Sequence, residues 1–253
     1  TMGYQAGDAI NTGYRNVLVG RSAGTALTSA EDVVAIGYEA LSTDTGATRQ
    51  VSIGYRANGQ QSGAGLNGNV AVGWSAGYYN KTGTANTTIG FRAGQGTSNI
   101  SNNNNVFIGY DSGYAVGNAY QNVAVGNSTL ANVKSGSLNV AIGQEAGRYA
   151  TGSYNTFVGW SAGKGGTTSA PFSSAQYNTA IGYQALTGFT SGTGRNVAIG
   201  YQAAVASTTG RDNVIIGYEA GHDITSTVEA VIIGSYAGSK LNSGDADGTV
   251  VIG

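Results

Sequence analysis

Cysteine is absent from this chain, and proline and histidine occur once each, as Pro171 and His222. Without cysteine there are no disulfide staples and no thiolate metal ligands, and the redox compartment stays open. A single histidine would leave an imidazole metal site or a catalytic triad hanging on one residue. Charge is scarce too: 10% of the 253 residues, against roughly 25% for an average soluble domain. The 12 Lys and Arg set against 13 Asp and Glu offer no basic footprint, so no nucleic acid is expected as a partner. No stretch approaches the roughly 18 apolar residues of a membrane-spanning helix, so no membrane insertion is expected. Glycine is abundant, with 43 residues, but it follows no Gly-X-Y period, which excludes collagen.

The glycines instead mark an internal repeat, the feature that decides the fold. A phrase of the form NVAIG-aromatic-x-A-G returns 15 times, its central glycine at Gly3, Gly20, Gly37, Gly54, Gly73, Gly90, Gly109, Gly126, Gly143, Gly159, Gly182, Gly200, Gly217, Gly234 and Gly253. Eight of the 14 intervals are 17 residues, and the others are 16, 18, 19 and, once, 23. No segment escapes the pattern, so residues 1–253 read as a single repeat domain. The chain begins and stops inside a copy, which predicts a segment of a longer fibre.

Each column of the repeat has a physical reading. The residue before the glycine is apolar in every copy, and two places earlier stand 11 Val and three Thr. Spacing of two puts both on one face of a strand, and β-branched side chains suit it. This pair predicts a thin apolar core, with the variable residue between them (Ala35, Phe107, Ile215) on the other face. Four places before the glycine, 10 of 14 residues are Asn, including Asn16, Asn69, Asn122 and Asn213. Asn tolerates left-handed turns, and stacked amides predict a ladder that satisfies the bend backbone.

After the glycine comes an aromatic column: Tyr4, Tyr38, Tyr55, Trp74, Phe91, Tyr110, Trp160, Tyr183, Tyr201 and Tyr218. Three past the glycine stands Ala in 12 of 14 copies, and the next residue is Gly in nine. Gly supplies the positive φ of tight corners, and the remaining turn-formers hold the length variation. The largest insertion, about Lys164 to Tyr177, carries Pro171.

Such a unit has no 3.6-residue apolar spacing, and its glycines would cost a helix about 1 kcal/mol each. The pattern predicts an all-β fold, a parallel β-solenoid of about 15 coils of ~17 residues. A coil this thin leaves its aromatic and alanine columns uncovered, and small cores often rely on oligomerisation. A homotrimer is therefore expected.

The strings NVAIGYQAA, NTFVGWSAG and NTAIGYQAL resemble the head repeats of YadA-like trimeric autotransporter adhesins, and more closely the repeats of bacteriophage tail-fibre proteins. The resemblance covers the whole chain and implies a left-handed parallel β-roll, three of which wrap into one shaft. This repeat is longer than the usual 14 to 15 residues of those heads, with bigger loops. What the resemblance implies is a trimeric tail-fibre shaft or receptor-binding region on a virion, or a bacterial cell-surface adhesin head. Its partners would be a host surface glycan or protein receptor and neighbouring fibre or tail proteins.

The chemistry-bearing residues give little to set against this. A capsule-degrading depolymerase would need two carboxylates roughly 5 to 9.5 Å apart across a sugar. Glu39, Asp111, Glu145 and Glu219 share the column two past the glycine, yet Ser, Gln or Arg usually fills it, which reads as a solvated column. His222 with Asp223 and Glu219 lacks a second His or Cys for a metal. Asp245 to Gly248 lacks most ligands of a calcium loop. An ice-binding surface would need a flat Thr array, whereas Thr43, Thr45, Thr167 and Thr168 sit in irregular loops. No enzyme activity, cofactor or metal is expected. The aromatics carry the remaining alternative, because exposed Tyr and Trp rings stack on sugars. The loop rings, Tyr149, Tyr154 and Phe189 among them, are expected at the surface. For glycan contact the candidates are Trp160, Phe172 and Tyr177, near the long insertion.

Overall fold

The structure, a computed structural model, describes residues 1–62, 65–66 (backbone), 68–166, 173–190, 194–241 and 247–253. The chain divides into two compact units, Thr1–Asn122 and Val123–Gly253. In the first, the repeat strands are β1 (Val17–Val19), β2 (Val34–Ile36), β4 (Val51–Ile53), β6 (Val70–Val72), β7 (Thr87–Ile89) and β8 (Val106–Ile108). Two short strands, β3 (Ala47–Thr48) and β5 (Gly65–Leu66), pair with each other. The second unit holds β9 (Val123–Val125), β10 (Val140–Ile142), β11 (Thr156–Val158), β12 (Thr179–Ile181), β13 (Val197–Ile199), β14 (Val214–Ile216), β15 (Val231–Ile233) and β16 (Val250–Ile252). Within each unit the repeat strands pair in parallel, one coil to the next and always in register: Val17 with Val34, Val140 with Thr156, Val214 with Val231. No helix occurs among the described residues. The fold is a parallel β-solenoid.

The strands face opposite to the sequence expectation. The middle residue of each triplet points into the coil: Leu18, Ala35, Phe107, Phe157 and Ala198 are fully buried. The Val and Ile on either side point outward, and Ile142 is 42% exposed. The alanine column, expected to await a neighbour, is likewise interior, with Ala40, Ala146 and Ala185 at 0% exposure. The reason is volume. Each coil's interior is closed by the strand's middle residue and the residue four past the glycine, six positions later. Where the first is large the second is Gly, as in Leu18/Gly24, Phe107/Gly113 and Ile215/Gly221. Where the second is Leu the first is Ala, as in Ala35/Leu41, Ala124/Leu130 and Ala180/Leu186, and at Ala141/Gly147 the side chains of Leu130 and Phe157 from the adjoining coils reach the space. Buried Ser52 and Asn58 occupy the same two positions and join by a 3.0 Å hydrogen bond. The variable column is therefore the core, and its variation is compensated.

Asparagine forms the expected ladder. Asn86 donates to Asn69 Oδ1 from both its backbone N (2.9 Å) and its Nδ2 (3.1 Å), while that Nδ2 also donates to the Asn102 carbonyl (2.7 Å). Asn105 and Asn122 repeat the first two bonds. The second unit carries the same ladder through Asn155, Asn178, Asn196 and Asn213. These buried amides use both donors and accept twice. The left-handed residue is not the Asn itself but the one before it, with φ of 57° at Arg15 and Arg195 and 61° at Tyr154 and Tyr177, and Asp32, before Val33 in the same column, matches it at 57°. A second left-handed column lies two past the glycine: Gln5, Glu39, Arg92 and Gln202 have φ between 51° and 55°. The central glycine has no substitute. At Gly73 φ is +141°, and a Cβ there would lie 2.2 Å from the Gly90 carbonyl oxygen of the next coil.

Candidate functional site

The outer columns hold the chemistry. Because each coil repeats its turn geometry, the residue after the glycine lands over its counterpart in the coil before. Rings therefore stack face to face. Tyr38, Tyr55, Trp74, Phe91 and Tyr110 form one continuous run with centroids 4.9 to 5.5 Å apart and planes within 12°. Trp160, Tyr183, Tyr201 and Tyr218 form a second at 4.9 to 5.0 Å. Tyr4 is linked through Arg21, whose guanidinium lies 5.9 Å from the Tyr4 centroid and 5.8 Å from that of Tyr38. Tyr236 meets Tyr218 edge-on at 5.3 Å. Ring faces are thus spent on one another inside each run, and what the column offers to solvent is edges.

The candidate glycan contacts do not share one place. Trp160 opens the second run. Tyr177 stands in the left-handed column before the Asn and stacks on Tyr154 at 4.9 Å, its own exposure 54%. Phe172, with Pro171, Thr167 and Thr168, lies outside the described residues. The loop aromatics divide: Tyr120 and Tyr154 are exposed as expected, whereas Phe189 and Tyr149 are buried. Phe189 packs on Phe157 with centroids 5.7 Å apart, because the coil at β12 has Ala180 in its strand and leaves room for the ring.

The carboxylates of the column two past the glycine are not simply solvated. Glu39 binds Arg56 at 2.7 Å, and Asp111 takes two bonds from Arg92, at 2.8 and 2.6 Å. Glu145 is held by Arg148 and by Lys164 Nζ at 2.7 Å. The left-handed column before the Asn does the same, with Arg15 on Asp32 and Arg195 on Asp212, each through two nitrogens. These guanidinium bonds hold Asp32 and Asp212 below the usual carboxylate range. At Glu39, burial pushes the carboxyl up, but hydrogen bonds from Tyr38 and Arg56 outweigh it and the net shift is downward. What sequence reasoning missed is that like columns pair unlike charges across coils. The 17-residue separation of Arg15 from Asp32, and of Arg195 from Asp212, was the available signal.

His222 Nδ1 lies 2.5 Å from Asp223 and lines a shallow cleft of about 170 Å³ with Glu219, Tyr236, Ser239 and Lys240. Glu219 accepts a hydrogen bond from Tyr218, whose phenol is pushed up to about 12 by that bond. Among the described residues no group of three His, Cys, Asp or Glu is placed to hold a metal ion. Asp245 lies outside the described residues, and Asp247 is occupied in accepting from the Val228 backbone N at 2.8 Å. Burial pushes the Asp44 carboxyl up, although Gly46 N and Gln50 Nε2 donate to it.

Comparison with protein-family models, with curated proteins and with solved structures gives no match.

Proposed function

We propose that this chain is a structural and adhesive fibre segment: a trimeric phage tail-fibre shaft or receptor-binding region that mediates host attachment. The observation that carries the reading is the outward face of the repeat strands. In each unit this face is a regular array of Val, Ile and Thr, and Ile89, Val140 and Ile181 stand 37 to 38% exposed among parallel, in-register neighbours. Contiguous apolar surface of this kind belongs to an interface, and a copy of the same chain offers the same pitch. Lateral association through this face replaces the alanine column as the basis for the trimer. The bacterial adhesin head uses the same physics and is the alternative home for the segment.

The stacked rings and cross-coil ion pairs support a passive, load-carrying role. Glu39, Asp111 and Glu145 are each neutralised by a cation rather than poised over a groove. The experiment is light scattering of the purified chain in native buffer, with Ile142→Glu as comparison. A trimer that Ile142→Glu reduces to folded monomers is the expected result. A monomeric wild-type chain would overturn the assembly, and new reducing ends released from host polysaccharide would make the protein a depolymerase.

A further inference from the structure

In the second unit, Asn127, Gln144 and Trp160 occupy successive rungs of the aromatic column, as the backbone bonds Glu145 N to Asn127 O and Ser161 N to Gln144 O require. Two rungs therefore carry amides where rings stand elsewhere. Trp160 has Tyr183 on one face at 4.9 Å and 10°. The rung on its other side is Gln144, an exposed amide with no hydrogen bond among the described residues, so no ring covers that indole face. Asn127 is exposed as well, and its Oδ1 accepts from Ser128 Oγ at 2.9 Å, leaving its Nδ2 hydrogens to solvent. Tyr183 and Tyr201 have rings on both faces. Tyr218 has Tyr201 on one side and the edge of Tyr236 against it.

We infer that the outer indole face of Trp160, with the amides of Gln144 and Asn127, is a subsite for a β-linked gluco-configured pyranose. Such a sugar has axial C–H bonds on both faces, which lie against an indole, and equatorial hydroxyls at its rim, which need donors and acceptors together. Side-chain amides supply both. The indole provides a large apolar platform with little conformational freedom to lose, and stacking on Tyr183 holds it flat. The subsite separates Trp160 from Tyr177, which lies in a different column, and it excludes the run-interior rings, whose faces are covered. It rests on the attachment reading by naming the chemistry of the receptor.

The test uses Trp74→Phe, which leaves Trp160 as the sole tryptophan, and titrates the full chain with cellohexaose and, separately, chitohexaose while emission is recorded. Saturable quenching with a blue shift is expected from at least one of them. Gln144→Tyr places a ring on the open face, continuing the run, and is expected to weaken binding at least tenfold while the melting temperature is unchanged or higher. Gln144→Ala keeps the face open and is expected to weaken binding less. Emission that neither oligosaccharide changes, or binding that survives Gln144→Tyr in a folded chain, overturns the subsite. Sugar binding lost in Gln144→Tyr together with unaltered host adsorption keeps the subsite and sinks the attachment reading instead.

Discussion

Phe107 occupies the space that Gly113 leaves: a Cβ at Gly113 would lie 2.7 Å from the Phe107 ring. The two belong to one coil and are six residues apart, as are Ala35 and Leu41, which lie in one buried cluster. Phe107→Ala is expected to cost about 3–5 kcal/mol through the cavity it opens. Gly113→Leu alone overpacks the coil. The double variant copies the Ala35/Leu41 arrangement, including a Leu at positive φ, which Leu41 adopts at 50°. Denaturant unfolding should therefore show a favourable coupling in the double-mutant cycle. Additive losses would mean that the two side chains do not share a volume.

Alanine's burial gives a second expectation. Ala146→Leu or Ala185→Leu should overpack the coil and cost typically 1–3 kcal/mol. Melting temperatures equal to that of the wild type would place the column in solvent instead.

The asparagine ladder predicts a difference between its middle and its end. Asn105→Ala removes the acceptor for both Asn122 N and Asn122 Nδ2 and the donor to the Ala119 carbonyl. Each orphaned buried group costs about 1–3 kcal/mol. Asn16→Ala removes one donor bond, to Ala30 O, and one acceptor, for Val33 N. Thermal unfolding should fall further for Asn105→Ala than for Asn16→Ala.

The pH response has two components of opposite sign. Asp32, Glu39, Glu145 and Asp212 are held below their ordinary values. What they contribute is present above their unfolded values, near pH 4, and is lost as pH falls through the folded ones. Asp44 is raised by burial. Its folded form binds the proton more tightly, so it opposes folding as pH climbs from about 4 through its folded value. Asp44→Asn removes the buried charge, and a flip of the Gln50 amide would give its unpartnered Oε1 a donor. Melting temperature at pH 7 should be higher in Asp44→Asn than in wild type, with the gap narrowing toward pH 4. A gap that does not change with pH would show that Asp44 stays ionised without cost.

The solenoid was legible because a column repeated 15 times averages out local noise, and strand pairing in register follows once the repeat is seen. The inward and outward faces were not. Periodicity of two says which residues share a side but not which side is inside, and hydrophobicity alone puts the repeated Val/Ile pair in the core. The deciding signal was the compensation between Phe107 and Gly113 and between Ala124 and Leu130, which only a closed interior demands. The rings of Tyr183 and Tyr201 were visible as a column, but their mutual stacking depends on coil pitch. Trp160's open face becomes meaningful only once Gln144, and not a ring, is placed on the adjoining rung.

The left-handed columns have a consequence for length. An L-residue other than Gly loses roughly 1–2 kcal/mol in that conformation, and most coils commit two such positions besides the positive φ of the central glycine, with a third at Leu41, Asn58, Leu130, Leu186 and Ala204. A coil recovers this through bonds to neighbours, such as Arg56 N to Tyr38 O and Asn58 N to Ala76 O on its two sides. A terminal coil has one neighbour and recovers about half. Short arrays are therefore dominated by their ends, and there is a minimum number of coils below which no piece of this sequence holds its shape. Above that number each further coil adds a constant increment, so excising one whole repeat should leave the remainder intact, while a cut through a repeat should unravel what adjoins it.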